Sequence, residues 1–175
     1  MTELIIGPMF SGKSTLMMSR LERATIAKKN VLLIRPETDT RKYILHSGDK
    51  KLKIDSIGTK ELLLLSDDFI SSYDVIGIDE GQFFDDIGLF IKKYHTKKIY
   101  ISALNATSEQ TMFKPIIKAI PFCEIITKLN AVCMWCGNDT ANFVIYKGKE
   151  KSGDILVGDE GDYETICADC FYENA

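Results

Sequence analysis

The segment GPMFSGKS, residues 7–14, constrains this chain more than any other stretch. It fits the pattern G-x-x-x-x-G-K-[ST] and follows the short apolar run Leu4–Ile6. Apolar side chains then recur at helical spacing through residues 14–29, so the loop stands between a predicted buried strand and a predicted amphipathic helix. A strand, a glycine-rich loop and a helix in this order predict an α/β fold with a phosphate-binding loop.

The residue types in this loop suit a nucleoside triphosphate. Glycines let successive backbone N–H groups point at phosphate oxygens, and the following helix directs its positive end at the same place. Lys13 supplies a charge for the β- and γ-phosphates, and the Ser14 hydroxyl can ligate Mg²⁺. The motif does not distinguish a kinase from an ATPase, a GTPase or a helicase. The predicted phosphate-binding residues are Gly7, Pro8, Met9, Phe10, Ser11, Gly12, Lys13 and Ser14.

Apolar runs alternate with helical patterns along the first 130 residues. Further strands are predicted at 31–34, 75–78, 99–101 and 124–126, helices at 59–72, 82–94 and 113–120, and a long polar loop at 35–53. This alternation predicts a mostly parallel sheet flanked by helices, as in P-loop NTPases. Beyond residue 130 cysteines and glycines cluster and long apolar runs stop, so we predict two domains, 1–130 and 131–175.

Two carboxylates, Asp79 and Glu80, directly follow the third predicted strand in the segment DEGQFF. The carboxyl ends of parallel strands face the ligand crevice, which predicts that Asp79 lies near the phosphate loop and holds Mg²⁺. Glu80 is then available either to take a proton from an attacking hydroxyl or to orient a water for hydrolysis. The alternative is an ordinary acidic pair where a strand meets solvent. Asp79, Glu80, Gly81 and Gln82 complete the predicted ATP-binding set.

Four of the five cysteines form two C-x-x-C pairs, Cys133 with Cys136 and Cys167 with Cys170. Two such loops can complete a tetrahedral Cys₄ zinc site, and four protein ligands leave no open position, so the metal is predicted to be structural. The alternatives are a redox pair or unrelated buried cysteines, but a redox C-x-x-C belongs near a βαβ pattern, and these pairs lie outside the predicted one. Cys123 stands alone and is predicted to be a buried apolar residue.

The overall charge and hydropathy exclude some function classes. A net charge of −3 supplies no general basic field, so sequence-independent binding to nucleic acid is not expected. No apolar run approaches the roughly 20 residues that span a membrane, and the first residues lack the pattern of a signal peptide. We therefore expect a cytoplasmic protein whose cysteines stay reduced.

Several motifs occur in one order that resembles a known family. GPMFSGKS, the Asp39-Thr40-Arg41 element, DEGQFF, the Cys₄ spacing and VGDEGDY are similar to the cytosolic-type (type II), zinc-containing thymidine kinases, from about residue 3 to residue 172. The resemblance implies transfer of the γ-phosphoryl group of ATP to the 5′-hydroxyl of thymidine, giving dTMP in nucleotide salvage, with Glu80 as general base. It also implies Mg²⁺ with the ATP, a homotetramer and feedback inhibition by thymidine triphosphate.

The same resemblance assigns the acceptor side of the site. Asp39 corresponds to the residue that contacts the deoxyribose hydroxyl, and Arg41 to a basic residue near the transferred phosphate. A lasso loop is implied to close over the base, with the zinc domain holding it. The implied substrate-binding residues are Met9, Asp39, Arg41, Phe83, Leu104, Phe113, Asp154, Ile155, Leu156, Val157, Gly158 and Tyr163.

The chain departs from the family pattern after the fourth predicted strand. Many relatives have Leu-Asp-Gly-Thr-Phe-Gln-Arg there, whereas this chain has LNATSEQ at residues 104–110. Ser108 stands in place of the aromatic residue that lines the base pocket, and Gln110 in place of the arginine. Phe113 is the candidate to fill the space, and the range of nucleosides and analogues accepted stays open.

Two other functions are possible for a chain with a phosphate-binding loop. A nucleic-acid-stimulated ATPase with a zinc ribbon would need a basic, aromatic-bearing face, but residues 137–166 contain three lysines against seven acidic residues. A non-catalytic nucleotide-binding switch is the other alternative. It is disfavoured because Lys13, Ser14, Asp79 and Glu80 are all present.

Overall fold

The computed structural model describes residues 1–39, 54–147 and 162–173. Within these ranges the strands are β1 (Thr2–Gly7), β2 (Val31–Pro36), β3 (Asp55–Thr59), β4 (Val75–Ile78), β5 (Lys98–Leu104), β6 (Ile125–Lys128), β7 (Phe143–Tyr146) and β8 (Tyr163–Ile166). The α-helices are α1 (Lys13–Ile26), α2 (Asp67–Ser71), α3 (Ile87–Lys93), α4 (Lys114–Ala119) and α5 (Ala168–Glu173).

The first six strands form one sheet in the order β3-β2-β4-β5-β1-β6. All five pairings between neighbouring strands are parallel. The predicted α/β fold with a mostly parallel sheet is therefore confirmed. Because β1 lies between β5 and β6, the loop that follows β1 emerges in the interior of the sheet rather than at its edge.

The four inner strands, β1, β2, β4 and β5, are buried on both faces, which explains their continuous apolar runs. Leu4 and Ile5 are adjacent in β1 and point to opposite faces, because strand side chains alternate. Helix α1 covers the face of Ile5 with Met17 and Leu21. Helices α2, α3 and α4 cover the other face, where Leu4 lies in the larger apolar cluster.

Residues 59–72 do not form the single helix that their apolar content predicted. Thr59 ends β3, Leu62–Leu64 form a 3₁₀ turn, and α2 begins only after Ser66, whose Oγ accepts a hydrogen bond from Phe69 N. A capping serine satisfies amide groups at a new helix start, so the preceding residues need not be helical. The edge strand β3 itself was missed because its sequence, DSIGT, has no apolar run.

The helix predicted at 82–94 also divides. Gly81–Phe83 form a 3₁₀ turn, Phe84 is extended, and α3 begins at Ile87. Glu80 has left-handed backbone angles, φ 52° and ψ 45°, which turn the chain sharply at the end of β4. The helix predicted at 113–120 is confirmed as α4.

The last part of the chain builds a small antiparallel unit. Strands β7 and β8 pair with each other, and Ala131 and Ala141 form an isolated bridge beside them. Its apolar cluster includes Cys133 and Cys167 together with Ile166. The ring of Phe143 stacks on that of Phe171 in α5, with centroids 4.4 Å apart. The proposed division into two domains at residue 130 stays a prediction.

Gly88 allows α3 and α4 to pack closely. A Cβ added there would lie 2.9 Å from the backbone oxygen of Lys118, and that oxygen cannot rotate away. Overpacking of this kind costs about 1–3 kcal/mol, more than the gain of roughly 0.5–1 kcal/mol from the better helix propensity of alanine. We expect Gly88→Ala to lower the urea midpoint, with the exposed Lys92→Ala as control. An unchanged or higher midpoint would show that the helices adjust freely.

Candidate active site

The loop of residues 7–14 curls tightly against the end of β6. A Cβ at Gly7 would lie 2.6 Å from the carbonyl oxygen of Leu129, so only glycine permits this approach. Leu129 N donates to Ile6 O at 2.8 Å, which holds the two chain segments together. Phe10 has a positive φ of 62° and an exposed side chain at the tip of the loop.

Lys13 lies inside this loop rather than in solvent. Its side chain is buried, and Nζ donates to Pro8 O at 2.6 Å. The Ser11 hydroxyl donates to the same carbonyl at 2.8 Å. The hydrogen bond to Pro8 O thus holds the ammonium group near the N-terminus of α1, which also attracts anions.

The structure brings Asp79 to the phosphate loop, as predicted from its place after β4. Asp79 is fully buried, and its Oδ1 accepts a hydrogen bond from Ser14 Oγ at 3.0 Å. Ser102 on β5 donates to the same oxygen. Ser102 was missed by sequence reasoning, although a lone polar residue in the apolar run of β5 was an available signal.

Glu80 follows Asp79 at the same edge of the sheet and is held by Gln82. Gln82 Nε2 donates to Glu80 Oε2 at 2.6 Å. The other end of the Gln82 amide, Oε1, accepts from the backbone N–H of Leu104 at 3.1 Å. Asn105 N in turn donates to Gly7 O, so β5 links the Glu80 segment to the start of the phosphate loop.

The acceptor-side residues follow the carboxyl ends of several strands. Met9 and Leu104 are half-buried, Phe83 is exposed, and Asp39 lies just after β2, where its backbone N–H donates to Pro36 O at 3.0 Å. Phe113 is half-buried and packs against the large apolar cluster. Arg41 and residues 154–158 lie outside the described residues.

Tyr163 begins β8 and lies opposite Tyr146 of β7, with ring centroids 5.2 Å apart. Burial raises the pKa of Tyr163 above its usual value, and the nearby Tyr146 and Asp162 add to this effect. Residues 154–158 come between these two tyrosines in the sequence. Tyr163 thus belongs to the small antiparallel unit and not to the parallel sheet.

The segment that departs from the family pattern joins the parallel sheet to the small unit. Gln110 has a positive φ of 61°, and its Nε2 donates to Val144 O in β7 at 3.2 Å. Asn105 Nδ2 donates to Asn142 Oδ1 at 3.3 Å. These two contacts were not predicted, because they depend on a tertiary arrangement that no local pattern encodes.

The four paired cysteines form one cluster, as predicted. Their sulfur atoms all lie within 4.8 Å of one another, and those of Cys136 and Cys167 are 3.6 Å apart. Tetrahedral zinc with Zn–S bonds of about 2.3 Å requires sulfur separations of about 3.8 Å. The cluster could therefore hold a metal ion. Cys123 lies apart from it, half-buried, with Sγ donating to Ala119 O at 3.3 Å.

The thiols of this cluster influence one another's protonation. Burial by itself raises the pKa of Cys133. Hydrogen bonds from surrounding backbone N–H groups together outweigh this effect and lower the pKa to about 6. Burial and the neighbouring thiols raise the pKa of Cys170 well above its usual range. Thiolates this close repel one another, and a bound cation is the usual way in which proteins hold four of them together.

Comparison with known proteins places the loop of residues 7–14 and the cysteine cluster in the same family pattern. The family model described as Thymidine kinase matches residues 1–171. The chain belongs to the thymidine kinase family. The match covers nearly all of the chain, from β1 through the cysteine cluster, so the thymidine kinase pattern includes both the parallel sheet and the small antiparallel unit.

Individual viral relatives cover similar lengths. The chain is 40% identical over 174 residues to the thymidine kinase of Sheeppox virus (strain KS-1), covering 97% of this chain and 95% of that protein. It is 38% identical to that of Choristoneura biennis entomopoxvirus, covering 98% and 96%. It is 36% identical to that of Monkeypox virus, covering 98% and 97%. Among the described parts of this thymidine kinase family member, every helix is too short or too polar to cross a bilayer.

Proposed function

We propose that this chain transfers the γ-phosphoryl group of ATP to the 5′-hydroxyl of thymidine. The observation that carries the proposal is the hydrogen bond between Ser14 Oγ and Asp79 Oδ1. It joins the phosphate loop to the acidic strand end, and Glu80 follows immediately. A donor triphosphate in the loop would therefore lie beside a carboxylate suited to accept a proton. Family membership and the names of the relatives support thymidine as the acceptor.

The proposed reaction needs one proton acceptor and one phosphate cradle. The 5′-oxygen of thymidine bonds to the γ-phosphorus, the bond from that phosphorus to the β–γ bridging oxygen breaks, and ADP leaves. Glu80 takes the proton of the 5′-hydroxyl. Lys13 and the backbone N–H groups of the loop hold the β- and γ-phosphates, which fixes the phosphorus in line with the attacking oxygen.

Two metal ions fit residues of this chain. Ser14 and Asp79 offer oxygen ligands 3.0 Å apart, the donor type that Mg²⁺ prefers, and Mg²⁺ bound with ATP would neutralise phosphate charge. The Cys133, Cys136, Cys167 and Cys170 cluster suits structural Zn²⁺. The homotetramer, feedback inhibition by thymidine triphosphate and cytoplasmic location stay predictions from the resemblance.

The proposed function is tested by a coupled assay of ADP production with thymidine, deoxyuridine, deoxycytidine and purine nucleosides. We expect Mg²⁺-dependent ADP production with thymidine. It should be lost in Lys13→Ala, because the loop then loses the positive charge that it would present to the β- and γ-phosphates. ADP production without any nucleoside, or equal rates with purine nucleosides, would contradict the proposal.

The nucleic-acid-stimulated ATPase is excluded by the same sample if single-stranded DNA neither binds tightly nor raises the rate. We expect no tight DNA binding and no increase in rate, because Lys147 of the small unit already pairs with Glu164, with Nζ and Oε1 2.5 Å apart. Salt-sensitive binding with a stimulated rate would favour the ATPase instead.

A further inference from the structure

The Gln82 side chain is buried next to Glu80 and is held by two hydrogen bonds. It is 3% exposed, and its amide is hydrogen-bonded to Glu80 and to the backbone of Leu104. From the pattern DEGQ, Gln82 was predicted to bind ATP. We propose instead that Gln82 is a positioning residue that fixes the Glu80 carboxylate for proton abstraction, an inference that rests on the proposed function.

The orientation of this amide follows from its two partners. A backbone N–H can only donate, so the atom facing Leu104 N at 3.1 Å must be the amide oxygen. The amide NH₂ therefore faces Glu80 Oε2, at 2.6 Å. Donation from an amide to an ionised carboxylate is among the stronger hydrogen bonds in proteins, and it leaves the second carboxylate oxygen, Oε1, outside this bond.

The anchor of the amide is rigid. Leu104 is the last residue of β5 and lies opposite Gly7 in the register with β1. Gln82 thus connects the carboxylate to the strand that pairs with the phosphate-loop strand. The distance between the base and the transferred phosphate is then set by the sheet rather than by a mobile side chain.

Glu80 needs such a support because of its own conformation. Its backbone is left-handed, φ 52° and ψ 45°, in a sharp turn between β4 and the 3₁₀ turn of Gly81–Phe83. A glutamate side chain has three rotatable bonds, and its entropy opposes any single position. Misplacement of a reacting group by about 1 Å can reduce a rate roughly 100-fold. The hydrogen bond from Gln82 selects one of the rotamers of the Glu80 side chain.

A double-mutant cycle with Glu80→Gln tests the positioning role. Gln82→Met keeps the length of the side chain and removes both hydrogen bonds. In the wild-type background we expect kcat for thymidine to fall roughly 10- to 100-fold, with the KM for ATP changed less than about twofold. In the Glu80→Gln background the same change should have almost no further effect, because Gln82 acts through the carboxylate that is already gone.

Stability and nucleotide binding are measured on the same variants. Tyr94→Phe is the matched control, since it removes a different side-chain hydrogen bond, 2.6 Å to Asp67 Oδ1, and should leave kcat unchanged. Gln82→Asn, one methylene too short to join both partners, is the second variant if Gln82→Met fails to fold. The dissociation constant for Mg²⁺–ADP should stay within about twofold of the wild-type value, a readout that needs no turnover.

Three outcomes would overturn the positioning role. They are an unchanged kcat in Gln82→Met, an equal fold-loss in both backgrounds, and Mg²⁺–ADP binding weakened tenfold or more, which would mark Gln82 as a nucleotide ligand. A wild-type chain that binds ADP but phosphorylates no nucleoside would overturn the proposed function, and the positioning role with it. That result differs from the other three because it appears before any substitution is made.

Discussion

Glu80→Gln is expected to lower kcat for thymidine phosphorylation about 10²- to 10⁴-fold, the range typical for loss of a general base. Glutamine has nearly the same shape but cannot accept the proton of the 5′-hydroxyl at neutral pH. The phosphate loop is untouched, so Mg²⁺–ADP should bind as in the wild type. Measurement of kcat and KM for both substrates, with the nucleotide dissociation constant, separates these effects.

The exposed Glu61→Gln is the control for this substitution, since it makes the same chemical change outside the site. It should leave kcat unchanged. Normal turnover in a correctly folded Glu80→Gln protein would show that another group takes the proton. A loss of nucleotide binding in Glu80→Gln would instead assign Glu80 to ATP.

Metal removal is expected to unfold the small antiparallel unit while the parallel sheet stays folded. Two of the five buried residues in the apolar cluster of this unit are Cys133 and Cys167, so little apolar core remains without the metal. Structural zinc contributes on the order of 10 kcal/mol in small metal-binding modules. If the small unit unfolds separately, the zinc-loaded wild-type chain should show two unfolding transitions, the lower one from this unit. Cys170→Ser should therefore reduce the amount of bound zinc and abolish that lower transition.

The single tryptophan of the chain reports this change directly. Trp135 lies between Cys133 and Cys136, and its Nε1 donates to Glu164 Oε2 at 2.8 Å. Chelation should break this contact and shift the fluorescence emission to longer wavelength. Cys123→Ser, outside the cluster, should keep its zinc and its emission. Complete zinc removal without any change in emission or unfolding would refute a structural role for the metal.

Loss of the small unit should also affect the two substrates differently. Gln110 and Asn105 join this unit to the segment after β5, whereas the phosphate loop contacts β6 through Gly7 and Leu129. The KM for thymidine is therefore expected to rise in Cys170→Ser while Mg²⁺–ADP binding changes little.

The sequence predicted most where a local pattern has one physical meaning. The loop of residues 7–14 between a strand and a helix indicated its position in the fold, and continuous apolar runs indicated strands buried on both faces. Prediction failed where competing local signals decide the structure. The apolar residues at 62–64 resembled a helix, but Ser66 begins a separate one, and β3 carries no apolar run.

By itself, the sequence determined the fold class, the family, the position of the loop of residues 7–14 between a strand and a helix, and the four clustered cysteines. These depend on spacings of a few residues and on the order of motifs, and both are visible along the chain. Only the tertiary structure decided which group holds Glu80, that Ser102 joins Ser14 in donating to Asp79, and how residues 105–110 reach the small unit. Each of these hydrogen bonds depends on the angle at which a side chain leaves the backbone and on the position of a partner that only the packed sheet brings near.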